Sequence, residues 1–466
     1  MEPAAGARIW TVEAFTGRRP AGAGDLSVET HGIAPIPEQD RYGRPGRMFT
    51  VWFAPQITMT GVFTGTLAIT LGLGLWLGLA AVAIGTIIGS LPVAYLCTWG
   101  PRTGTAQLPN SRMAFGPLVV LPGVLQWLSS IAWDGLVGLF GGEALALLLG
   151  IPFWLAVLIV LSAQGIVGFF GYEVIHRVQA VLTVVLFATF LTLAIKLITG
   201  HQINTPATAE GADLAGSFVL MVSISLSLAI SWSTYSADFS RYLPATTPPR
   251  RVFGFTFAGL VGAYLFVQGI GIAGASLLGN QTAEGVRTVM GGGLLGVIAL
   301  LAITLASIGS SAMNDYSGSL ALQTIGVRVR RPLSALVVTA AAFTLITWLH
   351  ASDTATRFTD VLLLVDYWIP AFVAIVIIDW LPRIRGRATL DPAVEHTDRR
   401  DAVAAVVAFL LAYAASVPFM NTTLWHGPVA VAWHGADLAY FVNFAAAALL
   451  YGGWRLLGPT RARLSR

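Results

Sequence analysis

The sequence predicts an all-α integral membrane protein of twelve transmembrane helices. Three observations predict it: too little charge for a water-facing surface, twelve apolar runs of bilayer-crossing length, and arginines gathered in alternate loops. Of 466 residues, 55% are apolar and only 11% charged, and the mean hydropathy is +0.73. A soluble chain of this size carries roughly a quarter of its residues as charge. The outer surface is therefore built to face lipid. The single cysteine, Cys97, excludes an intramolecular disulfide and reads as a small apolar filler in a helix.

The elements follow in chain order. Residues 1–47 are polar, rich in Gly, Pro and Arg, and lack the short apolar region of a cleavable signal. They read as a flexible cytoplasmic tail. A helix needs about 20 predominantly apolar residues to cross the hydrocarbon core. Such runs fall at 49–71, 75–98, 116–141, 150–170, 175–199, 214–240, 252–278, 289–322, 333–350, 358–380, 401–420 and 437–457. The run 289–322 is too long for one straight span, so it is expected to be tilted or to begin with a surface segment. On this reading 48–380 forms a ten-helix core, 381–457 adds two helices, and 458–466 is a second cytoplasmic tail.

Charge tests the count independently, because Lys and Arg collect in cytoplasmic loops. Twenty-four of the 27 basic residues fall before span 1, after each even-numbered span, or at the end of the chain; only Lys196, Arg287 and Arg357 do not. A wrong count would scramble that segregation. Both termini are thus expected in the cytoplasm and the chain in an inner (plasma) membrane. The net charge of +4 is spread over seven segments with no basic stripe interleaved with aromatics, which excludes a nucleic-acid partner.

Some spans carry irregular or costly residues. Unpaired backbone at membrane depth is tolerated only where it lines a cavity. Ala54-Pro55-Gln56 interrupts span 1, and the polar run Ser231-Trp232-Ser233-Thr234-Tyr235-Ser236-Ala237-Asp238 interrupts span 6. Breaks five spans apart, in helices of opposite direction, suit a five-plus-five inverted repeat; a proline kink and an ordinary polar helix end are the plainer alternative. Asp134 with Ser129 and Ser130 in span 3, Asp315 with Ser310, Ser311 and Asn314 in span 8, and Asp366 in span 10 are functional candidates, since a carboxylate inside a membrane is costly. Asp238 and Asp379 sit near span ends and are expected in local salt bridges or caps, while Glu143 and Lys196 can snorkel. Gly72, Gly74, Gly78, Gly85, Gly89, Gly138, Gly142 and Gly291–Gly293 are expected to let helices approach closely. The seven histidines lie mostly in the tail or loops; His426 and His434 flank an outer loop and could pair there, an interfacial role being the simpler reading. No catalytic or metal-binding constellation appears within a span.

Several strings taken together resemble the nucleobase:cation symporter-1 family, the purine and cytosine permeases. They are Gly32-Ile33-Ala34-Pro35-Ile36-Pro37-Glu38 with Arg41, then Gly100-Pro101-Arg102-Thr103-Gly104, then Tyr235 to Pro244 after Trp232, then Asn314-Asp315-Tyr316-Ser317, then Asp366-Tyr367-Trp368. The resemblance implies a leucine-transporter-type fold and secondary active transport by alternating access. It also implies a cation, Na+ or H+, entering with a flat neutral heterocycle held between aromatic rings of spans 3 and 6. Trp133 matches the stacking Trp of span 3, Trp232 an aromatic of span 6, and Asn314 the amide that bonds the substrate edge. Gln56 fills the polar slot after Ala-Pro, and Ser130 and Ser231 complete the expected substrate-binding set. Stacking on an aromatic is worth roughly 1–3 kcal/mol for any base, and an amide presents donor and acceptor side by side.

The chain departs from that pattern at two places. Many relatives carry Asn where this chain has Val137, and sodium-coupled ones carry hydroxyls where it has Ile308 and Gly309. Ser310, Ser311, Asp134 and Asp315 are the remaining candidates for cation coupling. The expected substrate is a nucleobase such as cytosine or a purine; allantoin, hydantoin, uracil or a thiamine-precursor pyrimidine is the alternative. A channel would line its pore with repeated rings of carbonyls or charges, which are not visible, and nothing favours a receptor.

Overall fold

The computed structural model describes residues 31–200, 203, 205–278, 282–327, 331–385 and 398–457. Most of the tail expected at 1–47, all of that at 458–466, and His201 and His396 lie outside the described residues. The chain folds into helices, joined by turns and one isolated bridge between Asn421 and His426. The first crossing is split into α1 (Arg47–Phe53) and α2 (Met59–Thr70) by a 3-10 turn at Ala54–Gln56. Then come α3 (Gly74–Cys97), α4 (Val120–Leu149), α5 (Phe153–Phe170), α6 (Tyr172–Gly200) and α7 (Gly211–Ile230). The second half holds α8 (Pro249–Leu278), α9 (Thr282–Met290), α10 (Leu294–Thr324), α11 (Arg331–Ala351), α12 (Thr354–Asp366) and α13 (Ile369–Ile384). Two further helices, α14 (Arg399–Ser416) and α15 (Ala439–Leu457), close the chain.

Nine continuous helical stretches among the described residues are long and apolar enough to cross a membrane. Met59–Thr70 and Leu336–Ala351 are apolar but shorter, and α15 has 19 residues. Large apolar side chains such as Trp76, Val184, Leu294 and Leu449 point outward and are 70–77% exposed. That outward apolar surface is what lipid requires, so the chain is a multi-pass membrane protein.

The breaks have local causes. Pro55 lacks an N–H, so the ladder of α1 cannot continue through it. Ile57 and Thr58 leave the helical region, and Thr58 Oγ accepts from Gly61 N at 3.3 Å, starting α2 afresh. In the sixth crossing α7 gives way to 3-10 turns at Ser231–Thr234 and Ser236–Phe239. There the hydroxyls of Ser231 and Ser236 donate to the carbonyls of Leu228 and Trp232, competing with backbone donors. A third break separates α12 from α13 at Tyr367–Trp368, with Pro370 in the first turn of α13.

α4 and α10 lie side by side at the centre. Around them α2 packs on α8 and α7 on α3, while α1 meets α6 and α7 meets α12. Glycines set the closest approaches. A Cβ added at Gly85 would lie 2.3 Å from the Val222 carbonyl oxygen, and one at Gly89 2.6 Å from that of Leu226. Gly78, Gly138 and Gly142 likewise abut Ala68, Ile346 and Val157. Gly291 and Gly292 do something else. They have φ of +89° and +69° with nothing within 4 Å of an added Cβ, so they turn the chain rather than pack helices. Gly72 and Gly74 also sit in a turn, against the backbone of 205–209. The long run 289–322 accordingly divides: α9 ends at Met290 and the span itself starts at Leu294.

Asp238 accepts from Gln107 N at 2.7 Å and Asp379 pairs with Arg383 at 2.7 Å, the cap and salt bridge expected of them. His426 and His434 do not pair with each other; they bond Asn421 and Asp213.

Candidate functional site

The helix breaks face the central pair α4 and α10, and the polar side chains of the interior gather there. α10 packs against the 3-10 turn Ala54–Gln56, and Thr60 of α2 donates to the Leu136 carbonyl of α4 at 3.3 Å. Gln56 is 3% exposed, and its Nε2 has no hydrogen-bond partner. A buried amide donor left open beside a helix break is the kind of group a ligand satisfies.

Trp133 sits mid-way along α4, 6% exposed, and its indole N–H donates to Asp366 Oδ1 at 3.3 Å. Asp366 Oδ2 accepts from Ser227 Oγ of α7 at 3.0 Å. Ser227 in turn accepts from the Tyr440 hydroxyl of α15 at 2.8 Å, so three helices hold the carboxylate that orients the Trp133 ring. One residue on, Asp134 is fully buried and its Oδ1 accepts from Asn314 Nδ2 at 3.3 Å. Asp315 and Ser311 of α10 face the same carboxyl group. Trp133, Asp134, Ser311, Asn314 and Asp315 therefore form one constellation across the α4–α10 seam.

Trp232 stands apart from it. Its indole N–H donates to the Tyr264 hydroxyl at 2.9 Å, and its ring meets Trp52 edge-on with centroids 5.7 Å apart. No ring contact joins it to Trp133 among the described residues. Tyr235, two residues past the Ser231–Trp232–Ser233 turn, meets the Trp232 ring edge-on with centroids 5.7 Å apart. Ser231 Oγ is spent on the Leu228 carbonyl. Ser130 Oγ donates to the Trp127 carbonyl at 2.7 Å and packs against Gly318.

Ser130 borders a cavity of about 450 Å³ between α4, α5, α10 and α11, which Trp127, Gln164, Gly168, Asp315 and Gln323 also line. The sequence pattern did not single out Gln164, Ser227, Tyr264 or Tyr440. For Gln164 a signal existed, as the only amide in the apolar run of α5. Among the described residues no three His, Cys, Asp or Glu come together to hold a metal ion.

Chemically the arrangement offers a flat apolar face at Trp133 fixed by a carboxylate, an amide at Asn314 with its oxygen open, and an unpaired amide donor at Gln56. Among the described residues, this constellation includes no arginine or lysine to neutralise an anionic ligand.

A family model described as permease for cytosine/purines, uracil, thiamine, allantoin matches residues 35–443. A Bacillus subtilis (strain 168) protein, YxlA, itself only provisionally assigned as a purine-cytosine permease, is 25% identical over 91% of this chain and 95% of its own. The purine-cytosine permease fcyB of Emericella nidulans is 25% identical over 92% of this chain and 88% of its own. Among solved structures, Mhp1, a nucleobase-cation-symport-1 family transporter closed around bromovinylhydantoin, superposes with a TM-score of 0.72 at 19% identity, covering 93% and 97% of the two chains. The fold is thus that of Mhp1, and the chain is a transporter and not an enzyme. It belongs to the nucleobase:cation symporter-1 family, the permeases for cytosine, purines, uracil, thiamine and allantoin.

Proposed function

We propose that this protein is a cation symporter that imports a nucleobase such as cytosine or a purine by alternating access. The observation that carries the reading is the constellation at the α4–α10 seam. Trp133, held by Asp366, presents a ring face, and Asn314, held by Asp134, presents an amide oxygen, both beside a broken helix with an open Gln56 donor. Stacking plus edge recognition suits a flat neutral heterocycle. Trp133, Asn314 and Gln56 are the first substrate contacts, and Trp232, Ser231 and Ser130 complete the proposed substrate-binding set from outside that constellation; Asp134, Asp315, Ser310 and Ser311 are assigned to coupling with Na+ or H+.

The proposal includes twelve spans, both termini in the cytoplasm of an inner membrane, and a five-plus-five inverted repeat over 48–380. The helix pairings support the repeat. α2 on α8 (spans 1 and 7) and α7 on α3 (spans 6 and 2) exchange under it, as do α1 on α6 and α7 on α12. The central α4–α10 pair maps onto itself. Residues 381–457 are two added helices, of which α15 reaches back to the site through Tyr440.

A second reading keeps the mechanism and changes the cargo. Val137 replaces a polar contact expected of many relatives, so allantoin, hydantoin, uracil or a thiamine-precursor pyrimidine stands as the alternative. Radiolabelled cytosine uptake in whole cells, competed with adenine, hypoxanthine, uracil, allantoin and hydantoin, separates these. Trp133→Ala and Asn314→Ala are expected to weaken the preferred substrate by about 1–3 kcal/mol each, roughly 5- to 150-fold. Unchanged uptake in both variants at normal expression contradicts the site. Collapse of the ion gradients should abolish accumulation, whereas a channel would equilibrate regardless.

A further inference from the structure

We propose that Asp134 and Asp315 form a proton-binding carboxyl pair, served by the cavity between α4, α5, α10 and α11, that makes the proton the coupling ion. This rests on the symport reading above. Asp134 is fully buried, and its Oδ2 has no hydrogen-bond partner. Asp315 lies within bonding reach of it on the facing helix. Neither carboxyl group has a salt bridge to Lys, Arg or His among the described residues. Asp134 is the dry member and Asp315 stands half-buried at the cavity wall; a second negative charge beside a dry carboxylate with no cation is costly, and a proton between the two resolves this.

Independent observations point to a ligand at this place. Ser311 Oγ is fully buried without a partner beside Asp134. Gln164, 2% exposed, faces Asp315 from α5, and its Oε1 also lacks a partner. That oxygen accepts from a protonated carboxyl or a hydrated proton, and so do Ser311 Oγ and Asp134 Oδ2. Gly168 leaves the gap into which Asp315 fits, an added Cβ there meeting the Asp315 Cβ at 3.0 Å. Gly165, lining the same cavity, has open space around it.

The cavity gives the pair a route out. Asp315 and Gln164 line it, and Gly32, Gly171, Gln323 and Val327 carry it toward the arginine-rich end of the molecule. The other titratable or charged groups around the pair are few. Asp366 of α12 is occupied with Trp133 and Ser227, Tyr235 approaches from the broken sixth crossing, and Tyr316 takes Arg241 Nη2 at 2.7 Å.

Coupling follows from one bond. Asn314 Nδ2 donates to Asp134 Oδ1, so the charge on the pair sets how firmly the amide that meets the substrate is held. Protonation weakens that bond and frees the Nδ2 donor to join the already open oxygen in meeting the heterocycle; substrate binding must then favour protonation by the same factor. The proton that enters with the substrate passes from hydrated form to a carboxyl oxygen of the pair, forming its O–H bond; release from Asp315 breaks that bond and returns the proton to water reached through the cavity.

The test uses the full-length protein in pyranine-loaded liposomes, read for proton entry per radiolabelled cytosine. Wild type is expected to admit protons with cytosine, and to accumulate cytosine under an inward proton gradient with sodium absent. Asp134→Asn and Asp315→Asn are expected to lose proton entry and accumulation together, while cytosine exchange continues at whatever rate. A sodium requirement in wild type, or proton entry per cytosine unchanged in both variants, overturns the proposal. A substrate-free arm keeps the cargo question separate: infrared difference spectra across a pH titration. A protonated-carboxyl band that both variants lose supports the pair even where cytosine is not the cargo. Its persistence in both overturns the pair, whatever the substrate.

Discussion

Asp366 shows how one residue transmits order to the site through the Trp133 indole. It accepts from Trp133 on one oxygen and from Ser227 on the other, and Tyr440 backs Ser227. A hydrogen bond contributes about 0.5–1.5 kcal/mol net, and more when one partner is charged. Asp366→Ala should therefore raise KM for the substrate about two- to tenfold through a loosened Trp133, with Vmax changed less. Asp366→Asn keeps an acceptor for the indole N–H and should recover most of the loss. Equal KM for the alanine and wild-type proteins would detach Asp366 from substrate positioning. At this scale the sequence was informative where physics leaves a mark in composition. A carboxylate in an apolar run is costly enough to flag itself, which is how Asp134, Asp315 and Asp366 stood out. Ser227 and Tyr440 left no such mark, because hydroxyls inside helices usually satisfy themselves on the preceding turn, as Ser231 and Ser130 do here.

Elements were legible where a residue type forbids continuation. Pro55 announces the break in the first crossing, and a dense polar run announces the one in the sixth. The gap at Tyr367–Trp368 carries no forbidding residue before Pro370, so the tenth crossing read as continuous. The glycines at 291–293 were ambiguous between turn and packing, and only their positive φ decides it. Packing glycines make a prediction of their own. A Cβ at Gly271 of α8 would lie 1.9 Å from the Val62 carbonyl oxygen, backbone that cannot yield without separating α8 from α2. Overpacking typically costs about 1–3 kcal/mol where side chains can adjust, and here they cannot. Gly271→Val and Gly85→Val should lower the melting temperature in detergent markedly or abolish monodisperse protein. Gly254→Ala, with nothing within 4 Å, should leave it unchanged or slightly raised. Equal melting temperatures across the three would mean that α8 and α3 do not rest on those contacts.

At the scale of the whole molecule, sidedness and assembly meet at one end. Arg41 donates to the carbonyls of Ile36 and Pro101 at 2.8 Å each, Arg47 pairs with Glu173 at 2.8 Å, and Arg241 reaches the Gly32 carbonyl at 2.6 Å. These bonds tie the segment before α1 to the chain after α3, to the start of α6 and to the end of the sixth crossing. Arg41, Arg47 and Arg241, three of the arginines that mark topology in the sequence, are thus also fasteners at that end. Their orientation is open to a direct test, since the sole cysteine, Cys97, is buried and Cys97→Ser gives a blank background. Thr246→Cys places a thiol in an exposed turn beside Arg250, and Leu424→Cys places one in the loop between α14 and α15, where Leu424 is 75% exposed. With twelve spans and both termini cytoplasmic, a membrane-impermeant maleimide added to intact right-side-out vesicles should label Leu424→Cys only. Inside-out vesicles should reverse the pattern. Labelling of both from the same face would require an odd number of crossings between residues 246 and 424 to become even, and the positive-inside count would then have failed.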